Sequence, residues 1–232
     1  MTSATIASGL AAKGEYDGAV VELDRLENRK DLDDAWWRTV GYVDISRQPS
    51  LPREQRVKAI NAARKAAEDI PGWRQAEALE SIADELRKLG MTGEANGVVG
   101  QAQAILVALP DTMPIKAPLL SNCARAWASL GKTDTARSLL IQVEALAPKV
   151  QEIERPVVYA NAASSFAAIK DPTAAKRLYG KALDEAATLV NARPRALAIV
   201  EICRSIGKSG LGLDDGLRAR LDALYVGLKD PW

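Results

Sequence analysis

Two short segments of this chain have residue types that could bind phosphate. Gly131-Lys-Thr133 and Gly207-Lys-Ser209 match the end of a P-loop, in which backbone N–H groups and a lysine hold phosphate oxygens. The complete motif also needs a glycine five residues earlier and a strand before it. Ala126 and Ile202 occupy those earlier positions, inside apolar patterns typical of helices. We therefore interpret both segments as turns between helices.

Other catalytic and metal-binding residue sets are sparse in the sequence. The chain has no histidine, which excludes Ser-His-Asp triads, Cys-His pairs and HExxH zinc sites. The acidic pairs at Asp33-Asp34 and Asp214-Asp215 stand at predicted helix starts, where carboxylates stabilise the helix dipole. The sequence predicts a protein that is not an enzyme and that uses no cofactor and no metal.

Cysteine content and charge restrict the possible partners. The two cysteines, Cys123 and Cys203, cannot form a disulfide framework, and we predict that both are small buried side chains. Lys and Arg number 31 against 30 Asp and Glu, a balance that argues against nucleic acid as the partner. No apolar run reaches membrane-spanning length, so we predict no membrane insertion and a cytoplasmic location. An exported protein whose signal peptide has been removed would look the same.

The chain contains an internal sequence repeat. A turn residue followed five positions later by alanine recurs at Gly14, Gly90, Gly131 and Lys170, and Gly207 begins a further copy. The first interval is 76 residues and the next two are 41 and 39, so one copy lies hidden inside the first interval. A period of this length indicates a repeat architecture.

Each copy predicts two amphipathic helices, because its apolar residues are spaced by three and four. The pattern predicts an all-α fold of about six helical hairpins, that is 11–13 helices with no β-sheet. The first-helix stripes of the third to fifth copies are Leu79-Ile82-Ala83-Leu86-Leu89, Leu120-Cys123-Ala124-Trp127-Leu130 and Tyr159-Ala162-Ala163-Phe166-Ile169. In the sixth copy the corresponding residues are Ala196, Ile199, Val200, Cys203 and Gly207. The second copy has two possible registers: its stripe consists either of Trp37, Val40 and Gly41 or of Trp36, Thr39 and Val40.

The pattern resembles the tetratricopeptide repeat: a small residue between large apolar ones, a glycine turn, and an alanine that opens the second helix. The fourth copy carries it most fully, from Leu120 through Gly131 and Ala136 to Pro148. The resemblance implies a right-handed superhelical α-α solenoid and a single domain over 1–232, with HEAT-like packing as the alternative. The approximate copies are 1–30, 31–71, 73–110, 115–149, 154–191 and 193–229.

In such a stack the first helices line a concave groove, and the residues beside their buried stripes face into it. We therefore predict a non-catalytic scaffold that binds a protein or an extended peptide along this groove. The alternatives are a self-associating structural protein, that is a homo-oligomer, or an accessory module of a larger complex. The candidate groove residues are Arg38, Tyr42, Glu80, Asp84, Arg87, Asn122, Arg125, Asn161, Ser164, Glu201 and Arg204.

Overall fold

The computed structural model describes residues 3–27 and 33–228. These ranges form twelve α-helices and one short 3-10 helix and contain no β-strand, which confirms the predicted all-α class and helix number. The helices are α1 (Ser3–Ala12), α2 (Tyr16–Glu27), α3 (Asp34–Ser46), α4 (Arg53–Ala67), α5 (Trp73–Lys88), α6 (Thr92–Ala108), α7 (Lys116–Ser129), α8 (Thr133–Leu146), α9 (Arg155–Ala168), α10 (Pro172–Thr188), α11 (Ala192–Ser209) and α12 (Asp215–Gly227). The 3-10 helix, Ala147–Lys149, follows α8 directly.

The helices form two compact units, Met1–Ala108 and Leu109–Trp232. In each unit, successive odd-numbered helices, the first helices of the copies, pack on one another: α1 on α3 and α3 on α5, then α7 on α9 and α9 on α11. The first five copies are hairpins in which the second helix packs on the first. This arrangement fits a helical repeat; the single domain and the superhelix stay predictions.

Small residues occupy the positions where the helices come closest. Ala124 and Ala163, which stand seven residues before their turn residues, are completely buried, and Ala83 is buried at the same position. In the second copy Gly41 is the small residue at a close contact. A Cβ atom there would lie 2.5 Å from Cδ2 of Leu23, which is too close for any larger residue without a shift. Small side chains let packed helix axes approach to about 8 Å, the short end of the normal range.

In the second copy Trp37 is not part of the buried stripe, contrary to the register that pairs Trp37 with Val40 and Gly41. Trp37 is 44% exposed, whereas Thr39 is buried and its hydroxyl donates to the carbonyl of Ala35 at 2.8 Å. Thr39 and Gly41 thus face the interior, and Trp37 does not. The hydroxyl of Thr39 is compatible with burial because it bonds within its own helix.

The sixth copy corrects the predicted turn. Helix α11 continues through the segment Gly207-Lys-Ser209, and Gly210, with φ of +66°, is the residue that ends it. The buried stripe is therefore Ile199, Ile202 and Ile206. The predicted core residues Val200 and Cys203 are instead exposed.

Four turn glycines, Gly14, Gly90, Gly131 and Gly210, have positive φ, as does Lys170 at +60°. Glycine adopts this conformation without steric cost, whereas a residue with a Cβ is strained by about 1 kcal/mol. Next to the strained residue, Asp171 caps α10 by accepting from the backbone N–H of Ala174 at 3.0 Å. The cap and the strain therefore oppose each other in this turn.

Replacing Ala163 by leucine tests the close packing of α9. We expect Ala163→Leu to lower the free energy of unfolding by about 1–3 kcal/mol, because the larger side chain must push the neighbouring helices apart. Urea unfolding followed by circular dichroism measures the change. The matched control, Ala168→Leu at the exposed end of α9, is expected to stay within about 0.5 kcal/mol of wild type. Equal unfolding midpoints for the two variants would show that this site is not tightly packed.

Exchanging turn residues tests the strain at Lys170. We expect Lys170→Gly to raise the free energy of unfolding by about 0.5–1 kcal/mol and Gly131→Ala to lower it by about 1 kcal/mol. A Cβ atom at Gly131 would meet no atom within 4 Å, so the expected loss is one of backbone conformation alone. Thermal denaturation of both variants measures the two shifts. A lower melting temperature for Lys170→Gly would contradict the strain.

Candidate functional site

The first helices of the second unit carry polar residues at the same two positions. These positions lie nine and six residues before the turn residue in α7, α9 and α11, which pack side by side. Because equivalent positions on equivalent helices share a face, the six side chains line one surface. We call it the first-helix wall: Asn122, Arg125, Asn161, Ser164, Glu201 and Arg204.

Hydrogen bonds on this wall run within single helices. A guanidinium nitrogen of Arg125 donates to Oδ1 of Asn122 at 2.9 Å, and Arg204 pairs with Glu201 in the same way. Both arginine side chains are exposed. Arginine has five N–H donors, so one such bond leaves others directed to solvent. Exposed pairs of this kind contribute little to stability, and a ligand can replace them at small cost.

The five remaining predicted residues lie in the first unit, on α3 and α5, and one of them is misplaced. Tyr42 does not face a groove, since only 5% of it is exposed and its hydroxyl donates to Oδ1 of Asp24 at 2.8 Å. Burial, together with this hydrogen bond, raises the pKa of Tyr42 above its ordinary value. Tyr42 therefore links α3 to α2 as part of the core. Arg38 and Glu80 are half-buried on their helices.

Asp84 and Arg87 form an ion-pair cluster with Lys88. The carboxylate oxygens of Asp84 lie 2.9 Å from a guanidinium nitrogen of Arg87 and 2.7 Å from Nζ of Lys88. Partial burial raises the pKa of Asp84, but the hydrogen bonds from Lys88 and Arg87 outweigh it and hold that pKa below its usual range. This part of the first unit thus presents charges that already compensate each other.

Sequence reasoning missed a cleft of about 140 Å³ between α3 and α5. A buried carboxylate lies beside it: Glu85 is 1% exposed and accepts from Nε of the exposed Arg47 at 3.0 Å and from Nζ of Lys88 at 2.7 Å. The signal was a glutamate directly before Leu86 of the buried stripe, because a carboxylate there needs a cationic partner. The cleft is lined by Trp36, Thr39, Val40, Val43, Asp44, Arg47, Glu77, Ala78 and Ser81.

Metal-binding clusters and membrane-spanning helices are absent from residues 3–27 and 33–228. No cluster of three or more His, Cys, Asp or Glu side chains in these ranges has an arrangement that could hold a metal ion. None of the helices described there combines the length and the apolar character needed to cross a bilayer. Comparison with known protein families, with curated proteins and with solved structures finds no match to the chain.

Ion pairs join the second helices α8 and α10. Glu144 on α8 accepts from Arg177 at 2.7 Å and from Nζ of Lys181 at 2.7 Å, both on α10. The hydrogen bond from Arg177, with that from Lys181, outweighs burial and lowers the pKa of Glu144 from 4.5 to about 2. This carboxylate therefore links α8 to α10 at every pH at which it is ionised.

The pKa of Glu144 predicts a loss of stability in acid. Because the folded-state pKa lies below that of the unfolded chain, the stabilisation is complete above about pH 4.5 and is lost as the pH falls towards 2. Since Arg177 and Lys181 are nearly half exposed, solvent screening reduces the expected contribution to about 1–2 kcal/mol. We expect Glu144→Gln to be less stable than wild type by this amount at pH 7 and equally stable near pH 2. Urea unfolding at several pH values measures the difference, and a difference that does not change with pH would contradict the assignment.

Proposed function

We propose that this chain is a helical-repeat scaffold, similar in design to tetratricopeptide proteins, that binds an extended segment of another protein. The binding surface is the first-helix wall of the second unit, with curvature supplied by a right-handed superhelical stack. Binding requires no covalent chemistry. The support comes from the repeated hairpins and from the polar residues at constant positions on neighbouring first helices.

The observation that carries the proposal is the periodicity of the wall. Packed helices lie about 8–10 Å apart, and an extended chain advances about 3.3 Å per residue. One step between first helices therefore corresponds to about three residues of an extended peptide. A peptide lying across the wall would meet Asn122 and Arg125 first and Asn161 and Ser164 three residues later. This match of spacing favours an extended segment as the ligand.

The chemistry of the wall suits peptide backbone. The side-chain amide of asparagine both donates and accepts, as a peptide group does, so Asn122 and Asn161 can each pair with a backbone amide. Arg125 adds a cationic donor for a carbonyl or a carboxylate. Because these residues project from packed helices, little conformational entropy is lost when the peptide binds. The wall would thus supply preorganised anchors, and the peptide would supply the segment that becomes ordered.

A charge reversal on the wall tests this proposal. Peptides are first selected against the wild-type protein from a displayed random library, and their affinities are then measured by fluorescence anisotropy. We expect Arg125→Glu and Asn161→Ala to weaken the selected peptides by about 10- to 100-fold, that is about 1.4–2.8 kcal/mol. The reason is that each change removes an anchor from the wall.

The matched control is Arg218→Glu, which reverses an exposed charge on α12 away from the wall. It is expected to bind the selected peptides as wild type does. Circular dichroism verifies that all variants keep their helices. If peptides bind Arg125→Glu and Asn161→Ala as tightly as the control, the wall is not the binding surface.

A further inference from the structure

Helix α11 differs from α7 and α9 in what covers it. Ten and seven residues before the turn, α9 carries Ala160 and Ala163, both buried by neighbouring helices, and α7 carries the buried Ser121 and Ala124. On α11 the same positions hold Val200, which is 51% exposed, and Cys203, which is also exposed. The surface that the other first helices bury is open on α11.

The cause is the position of α12. In the other copies the second helix packs on its own first helix, whereas α12 makes its principal described contacts with α10. Arg220 of α12 bonds the carbonyl of Gly180 at 3.3 Å and the carboxylate of Asp184 at 2.8 Å. Lys176 of α10 pairs with Asp214, the cap of α12, at 3.2 Å. These bonds hold α12 on α10 and leave one side of α11 uncovered.

The uncovered side is mainly apolar over three turns, with the exposed Arg204 one turn after Val200. Leu197, at 59% exposure, and Val200 are its large members, and the smaller Ala196, Cys203 and Gly207 complete it. We call these five residues the α11 face. Exposed apolar residues that cluster in this way mark association sites more often than solvated surface. The small residues permit a second helix to approach closely.

We propose that two copies of this chain associate through the α11 face, with the two α11 helices antiparallel about a two-fold axis close to Cys203. A two-fold interface must complement itself, since the same patch serves both partners. The α11 face is flanked by Glu201 and Arg204, which have opposite charges. In the antiparallel arrangement Glu201 of one copy lies opposite Arg204 of the other, and the reverse pair forms as well.

The area that the α11 face can bury sets the expected strength of association. A stable interface buries about 800 Å² on each partner, and one face of a single helix provides less. We therefore expect a dimer with a dissociation constant of about 1–100 μM, in the range of weak interfaces. The association does not require a bound peptide, because Val200 is not part of the first-helix wall.

Sedimentation velocity over about 1–300 μM protein tests the association, a range chosen to bracket that dissociation constant. We expect the wild-type mass to rise to that of a dimer, and Val200→Asp to weaken dimerisation at least about 10-fold because each interface would bury two carboxylates. The matched control is Val21→Asp on α2, since Val21 is 52% exposed, and it is expected to dimerise as wild type does. A wild-type protein that stays monomeric at every concentration, or a Val200→Asp protein that dimerises normally, would overturn the proposal.

Cysteine crosslinking tests the arrangement of the two copies. The chain has two cysteines, of which Cys123 is buried, so a short bismaleimide reports on Cys203. We expect rapid formation of a covalent dimer by wild type and by Cys123→Ser, and none by Cys203→Ser. A dimer in sedimentation whose Cys203 residues do not crosslink would overturn the two-fold arrangement. Loss of peptide binding in Arg125→Glu leaves all of these results unchanged, so the two proposals fail independently.

Discussion

The close approach of helices at small residues is the constraint on which the rest of this structure depends. Ala124 and Ala163 are completely buried where a larger side chain would separate the helices, and Gly41 meets the same need against Leu23. A single hairpin cannot bury its apolar stripe alone, so each copy is stabilised mainly by its neighbours. The spacing of the neighbouring first helices follows from these contacts, and with it the distance between successive anchors on the first-helix wall.

The sequence predicted the buried residues correctly in the copies whose first helix ends at the predicted turn residue. In the third and fifth copies every stripe residue is buried, because each stands at a constant distance from Gly90 or Lys170. The prediction for the sixth copy was wrong because α11 ends at Gly210 and not at Gly207. A glycine inside a helix costs about 1 kcal/mol relative to alanine, which the favourable left-handed end at Gly210 and the burial of Ile206 offset. Val200 and Cys203 are exposed for a different reason: they stand at the positions that α9 buries as Ala160 and Ala163, but α12 does not cover α11 there.

The positions of the candidate residues on their helices were predictable where they follow from register and not where they depend on distant partners; that these residues bind a ligand stays a prediction. Asn122, Arg125, Asn161 and Ser164 fall on the wall because their stripes were placed correctly. Tyr42 was misplaced because its burial depends on Asp24, 18 residues away on another helix. The Glu85 ion pair needs Arg47, which is 38 residues away. Hydrophobic spacing along one helix contains no information on which polar group of another helix will meet it.

The two proposals share one helix, and this has a physical consequence. Glu201 and Arg204 form the third step of the first-helix wall, and the same residues flank the α11 face. If a second copy covers them, an extended peptide can use only the steps on α7 and α9, which span about six of its residues at 3.3 Å per residue. A longer peptide that also requires α11 would then compete with dimerisation. Because coupling between two binding events is reciprocal, such a peptide would dissociate the dimer by the same factor by which dimerisation weakens the peptide.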